Sequence, residues 1–290
     1  MKIILGPAST NLGKQIAQTL KAETVPVAFK TFPDGENYLR LEDQLQNEDV
    51  AIVQTTSPPQ DTRLIQLALI ADAARRNGAK KMTAIVPYLA YARQDQVFLP
   101  GEPVSAETIA RMLKAAGVDK LITVNVHQDK VLSHFPFPAR SISAVHVLAE
   151  YFVKKGYAKA FALSPDKGAI HIAQEAREIL GGECGYLEKN RDRYTGQVSM
   201  ERKTLDVKGE TVIIFDDIIS SGGTIVAAAK TLKELNPRRI FVACVHPLLI
   251  GEAEHLILRA GVEEIVGSDS VPSSVSKVSL APLLSRELAQ

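Results

Sequence analysis

The sequence has few cysteines, little net charge and no long apolar run, and each shortage argues against a class of protein. Its 290 residues include two cysteines, so no disulfide scaffold is expected and a reducing cytoplasm is the expected location. The formal net charge of +1 gives no reason to expect nucleic acid or an anionic membrane as a partner. No stretch approaches the roughly 20 apolar residues of a membrane-spanning helix. Residues 1–6 resemble a first strand and lack the apolar core and cleavage site of a signal peptide.

Strand-like apolar runs alternate with helix-like segments along the whole chain. The predicted strands are residues 3–5, 27–32, 50–54, 82–87, 121–126, 160–163, 211–215, 240–245 and 264–267. The predicted helices are residues 11–21, 61–77, 105–116, 145–155, 167–180 and 225–235. This alternation favours an α/β fold in which helices cover both faces of mainly parallel sheets. Because each half of the chain has its own strands, we predict two similar domains, residues 1–143 and 144–290.

The segment 211–224 is the most informative part of the chain. An apolar, β-branched run leads to the paired carboxylates Asp216 and Asp217, and small residues then lead into a predicted helix. The small and hydroxyl residues are Ser220, Ser221, Gly222, Gly223 and Thr224. Such a turn can direct N–H groups at an anion, and the helix N-terminus favours negative charge there. Paired carboxylates can hold sugar hydroxyls directly or through Mg²⁺. The alternative is an ordinary strand-to-helix turn capped by serine; the two acidic residues favour a sugar phosphate site.

Three other predicted strands also end in polar residues. His127 follows strand 121–126, Ser-Pro-Asp-Lys-Gly follows strand 160–163 at residues 164–168, and a segment with two tyrosines follows strand 82–87. In open α/β sheets, ligands bind beyond the carboxyl ends of the strands. These segments are therefore candidates for the same kind of function as residues 216–224.

Taken in order, five segments resemble those of the phosphoribosyl pyrophosphate synthetases. They are Phe-Pro-Asp-Gly-Glu at 32–36, Pro-Tyr-Leu-Ala-Tyr-Ala-Arg-Gln-Asp at 87–95, residues 164–168, Glu-Lys-Asn-Arg at 188–191, and residues 216–224. The resemblance covers nearly the whole chain and implies two domains of phosphoribosyltransferase-like fold. It further implies transfer of the β,γ-pyrophosphoryl group of ATP to O1 of ribose 5-phosphate, with release of AMP, for nucleotide biosynthesis.

On the ATP side, the resemblance implies two groups of binding residues. The first group is Arg93, Gln94 and Asp95, and the second is Phe32, Asp34 and Glu36. Arginine suits the first group because it can pair bidentately with phosphate oxygens. The alternative for the first group is a solvated surface loop, and the alternative for the second is a simple turn. The family implies that the second group reaches in from a neighbouring subunit. A homo-oligomer is therefore expected.

The remaining implied roles concern metal and phosphate. A lone histidine would be rejected as a Mg²⁺ ligand on composition, because Mg²⁺ prefers oxygen. The resemblance nevertheless implies that His127 and Asp166 bind the metal, and that Asp166, Lys167 and Gly168 form a pyrophosphate loop. An ordinary turn with Pro and Gly remains the alternative for that loop.

Lys189 and Arg191 lie in a charged segment without clear periodicity. A solvated loop is one interpretation. The other is catalytic, since pyrophosphoryl transfer gathers negative charge that positioned cations stabilise. The resemblance implies the second, with both residues on a flexible loop that closes over bound substrates.

The chain departs from many family members at several positions. Asn125 and Ser220 stand where many members have aspartate, and residues 96–105 differ from the Arg-rich segment associated with allosteric ADP, so ADP inhibition is not carried over. These departures are more typical of the archaeal branch.

Two other functions compete with the synthetase. A phosphoribosyltransferase would share only residues 216–224, and a non-catalytic regulatory subunit would not be expected to keep Lys189 and Arg191.

Overall fold

The computed structural model describes the backbone of residues 1–191, 198–201 and 205–290, and the side chains of residues 1–187 and 205–290. The chain divides into two units. The first comprises Met1–Ser143 and Ser279–Gln290, and the second comprises Ala144–Val278. No helix of the described residues is long and apolar enough to span a bilayer.

The first unit is built on a parallel six-stranded sheet with an added hairpin. Its elements are β1 (Lys2–Leu5), α1 (Thr10–Leu20), β2 (Glu23–Val25), β3 (Val27–Thr31), β4 (Asn37–Leu41), β5 (Asp49–Val53), α2 (Gln60–Arg76), β6 (Lys81–Val86), α3 (Ser105–Ala115), β7 (Lys120–Val124), a 3₁₀ turn (Asp129–His134) and β8 (Ala139–Ile142). The sheet order is β2-β1-β5-β6-β7-β8, and β3 and β4 pair separately and antiparallel. Apolar β-branched residues such as those of β5 are buried because helices cover both faces of a parallel sheet.

The second unit repeats this plan. Its elements are α4 (Val145–Lys154), β9 (Phe161–Ser164), a 3₁₀ turn (Lys167–Ala169), α5 (Ile170–Leu180), β10 (Cys184–Tyr186), β11 (Glu188–Arg191), β12 (Val198–Glu201), β13 (Thr211–Ile219), α6 (Gly223–Glu234), β14 (Arg239–Pro247), α7 (Ala253–Arg259), β15 (Glu264–Ser268) and β16 (Ser276–Val278). The sheet order is β10-β9-β13-β14-β15-β16, with β11 and β12 as a separate hairpin. Along the chain, the hairpin follows the edge strand of the sheet (β2 or β10) and precedes the third strand of the sheet order (β5 or β13) in both units.

The predicted α/β fold with two similar domains is confirmed, and two details of the prediction are wrong. The first concerns residues 27–32, which do not join the parallel sheet. Pro26 lacks an N–H donor and separates the edge strand β2 from β3, whose half-buried and exposed residues form the hairpin instead. The predicted strand list also lacked seven strands that the structure has, which are β2, β4, β8, β10, β11, β12 and β16.

The second detail concerns the C-terminal end of the chain. Residues 279–290, which the sequence assigned to the second domain, belong to the first unit. Helix α8 (Ala281–Leu288) packs against α1 and buries Leu284. Arg140 of β8 also donates a 2.8 Å hydrogen bond to Glu287 of α8. Apolar burial and this ion pair therefore hold the end of the chain on the unit in which it began.

Candidate functional site

Strand β13 carries the paired carboxylates inside its length rather than at its end. It runs to Ile219, four residues beyond the predicted Phe215, and Asp216 lies opposite Cys244 of β14. The backbone N–H of Asp217 donates to Oδ1 of Asp216 at 3.0 Å, and that of Ile218 donates to Oδ1 of Asp217 at 2.8 Å. Each carboxylate thus has one oxygen held by the backbone.

The turn after β13 is fixed by its backbone. Gly222 has a φ of +77°, and a Cβ there would lie 3.1 Å from Cδ1 of Ile257, so both conformation and space favour glycine. The N–H groups of Leu249 and Ile250 donate to the carbonyls of Ile219 and Ser220, each at 3.0 Å. Helix α6 begins at Gly223, directly after the turn. Its first N–H groups have no partner within the helix, which is the arrangement that binds phosphate.

The predicted binding residues of this loop lie together in the second unit. They are Asp216, Asp217, Ser220, Ser221, Gly222, Gly223 and Thr224. The pKa of Asp216 is raised well above its ordinary value, first by burial and then by the negative charges of Asp217 and Asp166. Burial likewise raises the pKa of the Cys244 thiol, with the charge of Asp216 as the second cause. The site therefore gathers negative charge that a cation or hydroxyl donors would relieve.

Asp166 closes the loop that follows β9. Its Oδ1 accepts hydrogen bonds from the N–H groups of Gly168 and Ala169, at 2.9 and 3.2 Å. The hydroxyl of Ser164 donates to the carbonyl of Asp166 at 2.7 Å. Asp166, Lys167 and Gly168 thus form a tight turn at the carboxyl end of the strand adjacent to β13, and their role as a pyrophosphate loop stays a prediction.

In the first unit, the predicted ATP segment follows β6 and is held from two sides. The backbone carbonyl of Gln94 accepts from the N–H of Ala106, and its Oε1 accepts from the hydroxyl of Ser105 at 2.7 Å. Asp95 is buried, and Lys130 lies 3.0 Å from its Oδ2. Arg93 is exposed. Arg93 is thus open to a ligand, whereas the carboxylate of Asp95 already has a cationic partner.

His127 lies in the exposed segment after β7, in the first unit, whereas Asp166 lies in the second. The preceding Asn125 has a φ of +36°, so its backbone is in the left-handed region. Among the described residues, no group of three or more His, Cys, Asp or Glu side chains is placed to hold a metal ion.

Residues 32–36 form the loop of the β3–β4 hairpin. The N–H of Phe32 donates to the carbonyl of Glu36 at 2.8 Å, and the N–H of Glu36 donates to Oδ1 of Asp34 at 3.1 Å. The ring of Phe32 is 39% exposed, with the ammonium of Lys30 at 5.0 Å from its centroid. An exposed aromatic ring beside two carboxylates suits the stacking and hydrogen bonding expected of an adenine site.

Lys189 and Arg191, the predicted catalytic residues, both lie on β11. Their backbones pair with Met200 and Val198 of β12. The side chains of β11 and β12 lie outside the part of the chain that the structure describes.

Sequence analysis did not predict a set of hydrogen-bonded polar residues that lies beyond β5. Gln54, Arg63, Gln66 and Asn37 are joined by hydrogen bonds, and Gln54 and Gln66 are almost fully buried. Gln54 lies 12 residues and Asn37 lies 29 residues before Gln66, whereas Arg63 is three residues before it on α2. No local pattern marks them.

Comparison with known proteins agrees with this arrangement. Residues 1–117 match the family model of the N-terminal domain of ribose phosphate pyrophosphokinase, and residues 138–276 match that of the phosphoribosyl transferase domain. A ribose-phosphate pyrophosphokinase of Methanopyrus kandleri is 40% identical over 284 residues, covering 97% of this chain and 96% of its own. One from Saccharolobus solfataricus is 40% identical and covers 93% of each chain.

A solved structure extends the similarity to the fold. The phosphoribosylpyrophosphate synthetase of Mycobacterium smegmatis superposes with a TM-score of 0.88 at 28% identity, covering 100% of this chain and 97% of its own. The two family models together span both units, and the archaeal relatives match nearly their full length. This chain therefore belongs to the ribose-phosphate pyrophosphokinase family.

Proposed function

We propose that the chain is a ribose-phosphate diphosphokinase that makes 5-phosphoribosyl 1-pyrophosphate and AMP from ATP and ribose 5-phosphate. The observation that carries this function is the loop from Asp216 to Thr224, in a chain that matches the family over both units. The O1 hydroxyl of the sugar attacks the β-phosphorus of ATP and loses its proton. The bond from that phosphorus to the oxygen of the α-phosphate breaks, and AMP leaves with that oxygen.

Ribose 5-phosphate is held in the second unit. The N–H groups at the start of α6 and the hydroxyls of Ser220, Ser221 and Thr224 bind the 5-phosphate. Asp216 and Asp217 accept hydrogen bonds from the sugar hydroxyls. Burial and the negative charges of Asp217 and Asp166 disfavour the ionised form of Asp216. Hydroxyl groups that donate hydrogen bonds to the carboxylate would therefore stabilise its negative charge.

ATP is held by residues of the first unit. Arg93 and Gln94 contact the nucleotide directly, whereas Asp95 acts by fixing the segment through Lys130. Phe32 stacks on adenine, and Asp34 and Glu36 accept hydrogen bonds from it. The exposed ring and the hairpin loop support this assignment.

The residues fit Mg²⁺ as the cofactor. The raised pKa of Asp216, caused in part by two neighbouring carboxylates, marks a place where a divalent cation lowers the electrostatic cost. Mg²⁺ is usually bound by one or two carboxylates, waters and substrate phosphates, so a larger protein cluster is not required. Asp166 would hold it in the second unit, and the role of His127 of the first unit as a ligand stays a prediction from the family resemblance. Once bound, the ion would neutralise charge on the phosphate oxygens.

Lys189 and Arg191 supply the positive charge that the transferred group requires. Charge develops on the phosphoryl oxygens as the β-phosphorus is attacked, and cations positioned for that moment stabilise the transition state more than the ground state. The placement of both residues on one short strand supports a shared role.

The decisive experiment incubates the purified chain with ATP, ribose 5-phosphate and Mg²⁺ and measures AMP and the phosphoribosylated product. A pyrophosphokinase forms both in equal amounts. A phosphoribosyltransferase forms neither from these substrates, and a regulatory subunit is inactive alone. Absence of AMP would contradict the proposal.

The chain forms a homo-oligomer in which residues 32–36 complete the adenine site of a neighbour. Mixing inactive Asp34→Ala/Glu36→Ala protein with inactive Lys189→Ala protein should then restore partial activity. Mixed oligomers that form and stay inactive would show that each chain builds its own adenine site. A cytoplasmic location stays a prediction from composition.

A further inference from the structure

The β3–β4 hairpin is attached to the first unit in two different ways along its length. At its base, Val27, Leu39 and Leu41 pack against the buried apolar core. At the other end, Asn37 directly follows the loop 32–36 and lies opposite Thr31. There Oδ1 of Asn37 accepts a 3.3 Å hydrogen bond from Nε2 of Gln66 on α2. The base is therefore held by apolar packing, and the loop end is held by a polar contact.

Gln66 is itself held in one orientation. Its side chain is buried, and its Oε1 accepts from Nε2 of Gln54 and from Nη1 of Arg63, both at 3.1 Å. Two donors on the same side require an oxygen at that position, so the amide nitrogen of Gln66 must face Asn37. The polarity of the Gln66–Asn37 bond is thus set by its neighbours.

Gln54 connects this arrangement to the sheet. It follows β5 directly and is fully buried, and its Oε1 accepts the N–H of Ala8 at 3.0 Å, in the segment after β1. A continuous set of hydrogen bonds therefore runs from the carboxyl ends of β1 and β5 through Gln66 to the loop end of the hairpin. Its last bond reaches the residue next to Glu36.

We propose that Gln66 is a positioning residue for ATP: it sets the orientation of residues 32–36, and through them the affinity for the adenine group. This inference rests on the proposed function, since it assumes that Phe32, Asp34 and Glu36 contact adenine. Gln66 itself touches no substrate. Loss of its bond to Asn37 leaves the loop to sample other orientations, so the nucleotide must select the productive one at a cost in affinity.

The test compares Gln66→Met, Asn37→Ala and the double variant, using the assembled protein. The dissociation constant of ATP is measured by calorimetry without the sugar, and kcat and the KM for ribose 5-phosphate by AMP release. Each single variant should weaken ATP binding about 3- to 10-fold, the range for one hydrogen bond. Both kcat and the KM for ribose 5-phosphate should stay within about twofold. Because both changes break the same bond, the double variant should bind ATP no more weakly than the weaker single one.

Two further variants separate positioning from general stability. Gln66→Glu keeps an acceptor for Gln54 and Arg63, and the amide of Asn37 can turn to donate to it, so ATP affinity should be retained. Asn77→Ala is the matched control, because Asn77 joins the end of the same helix to the carbonyl of Asp43 at 2.6 Å, away from residues 32–36. It should lower the melting temperature and leave ATP binding unchanged.

The proposal is overturned if Gln66→Met and Asn37→Ala bind ATP as the unaltered protein does, or if Asn77→Ala weakens binding equally. Additive effects of the two changes would also overturn it. Should Gln66→Met fail to fold, Asn37→Ala and Gln66→Glu still decide the question. Failure of the unaltered protein to bind ATP would instead contradict the proposed function, which separates the two results.

Discussion

Strands β5 and β13 occupy the same place in their two sheets, third in identical strand orders, and the residues that follow their apolar segments differ in chemistry. After β5 come Gln54, Thr55 and Thr56, all fully buried. Gln54 has hydrogen-bond partners on both its oxygen and its nitrogen. In β13 the corresponding apolar run is followed by Asp216 and Asp217, with a pKa of Asp216 raised by burial and by negative neighbours.

The difference shows two uses of one strand end. In the first unit, the buried Gln54 side chain is paired through both its oxygen and its nitrogen, and these hydrogen bonds stabilise the fold. In the second unit, Asp216 is placed where burial and neighbouring negative charges disfavour its ionisation, a feature that is common at functional sites. The same topology thus supplies a structural support in one unit and a candidate binding site in the other.

The two hairpins offer the same comparison. The β3–β4 loop carries Phe32, Asp34 and Glu36, whereas β11 carries Lys189 and Arg191. The sequence of one hairpin loop contains an aromatic and two acidic residues, whereas that of β11 contains a lysine and an arginine. We expect the first to act on nucleotide affinity and the second on the rate of the chemical step.

The largest expected effect comes from the basic hairpin. Lys189→Ala and Arg191→Ala should each lower kcat by about 10²- to 10³-fold, as is typical when a positioned transition-state donor is removed. ATP binding measured at equilibrium should change far less. Lys208→Ala, an exposed lysine of the same unit, is the control and should leave kcat unchanged. A near-normal kcat for either hairpin variant would contradict the assignment.

Next in size is the removal of charge from β13. Asp216→Asn and Asp217→Asn should raise the KM for ribose 5-phosphate, lower kcat, or both, because a neutral amide replaces a charged acceptor. A hydrogen bond to a charged group contributes about 1.5–3 kcal/mol, or roughly 10- to 150-fold. Steady-state kinetics with varied sugar concentration measure the effect. Unchanged kinetics for both variants would remove the aspartates from the site.

A substitution at the equivalent end of β5 should lower the stability of the fold rather than substrate binding. Gln54→Leu leaves the N–H of Ala8 and the oxygen of Gln66 without this partner, and should lower the free energy of unfolding by about 1–3 kcal/mol. Urea denaturation measures the loss. Gln18→Leu, at an exposed position of α1, serves as the matched control. Equal effects of the two substitutions would show that the buried hydrogen bonds of Gln54 do not stabilise the fold.

A smaller effect is expected at the start of α6. Thr224→Val removes a hydroxyl that we propose binds the 5-phosphate, while keeping the shape of the side chain. It should weaken binding of ribose 5-phosphate by about 0.5–3 kcal/mol, and ATP affinity without the sugar should barely change. Thr231→Val, further along the same helix, is the control. If Thr224→Val lost ATP binding and kept its affinity for the sugar, the assignment of the two units would be reversed.

The smallest expected effect is a pH dependence of stability. The unfolded chain releases the proton of Asp216 near pH 4, whereas the folded chain holds it to higher pH, because burial and like charge raise the folded pKa. Between these two pKa values the folded state binds more protons, so its stability falls as pH rises. Asp216→Asn lacks this loss and should gain in melting temperature over the unaltered protein as pH rises from about 4. A melting-temperature difference that does not vary with pH would contradict this.

Patterns within short contiguous segments predicted much of the architecture and of the candidate site. The alternation of apolar strands and helices predicted the α/β class, and residues 211–235 predicted a strand, a turn and a helix in that order. Such features depend on neighbours within a few residues, so they survive without knowledge of the fold. The binding and catalytic roles of individual residues stay predictions that the substitutions above test.

Only the tertiary structure decided which distant residues meet. The sequence did not indicate that Asn37, Gln54 and Gln66 form one set of hydrogen bonds, or that Lys130 pairs with the buried Asp95. It also did not indicate that α8 returns to the first unit. These contacts depend on strand order and helix docking, which bring together residues that local propensity treats as independent. The sequence by itself therefore determined the α/β alternation and the chemistry of the loops, and long-range packing determined the remaining strands and which side chains hold those loops in place.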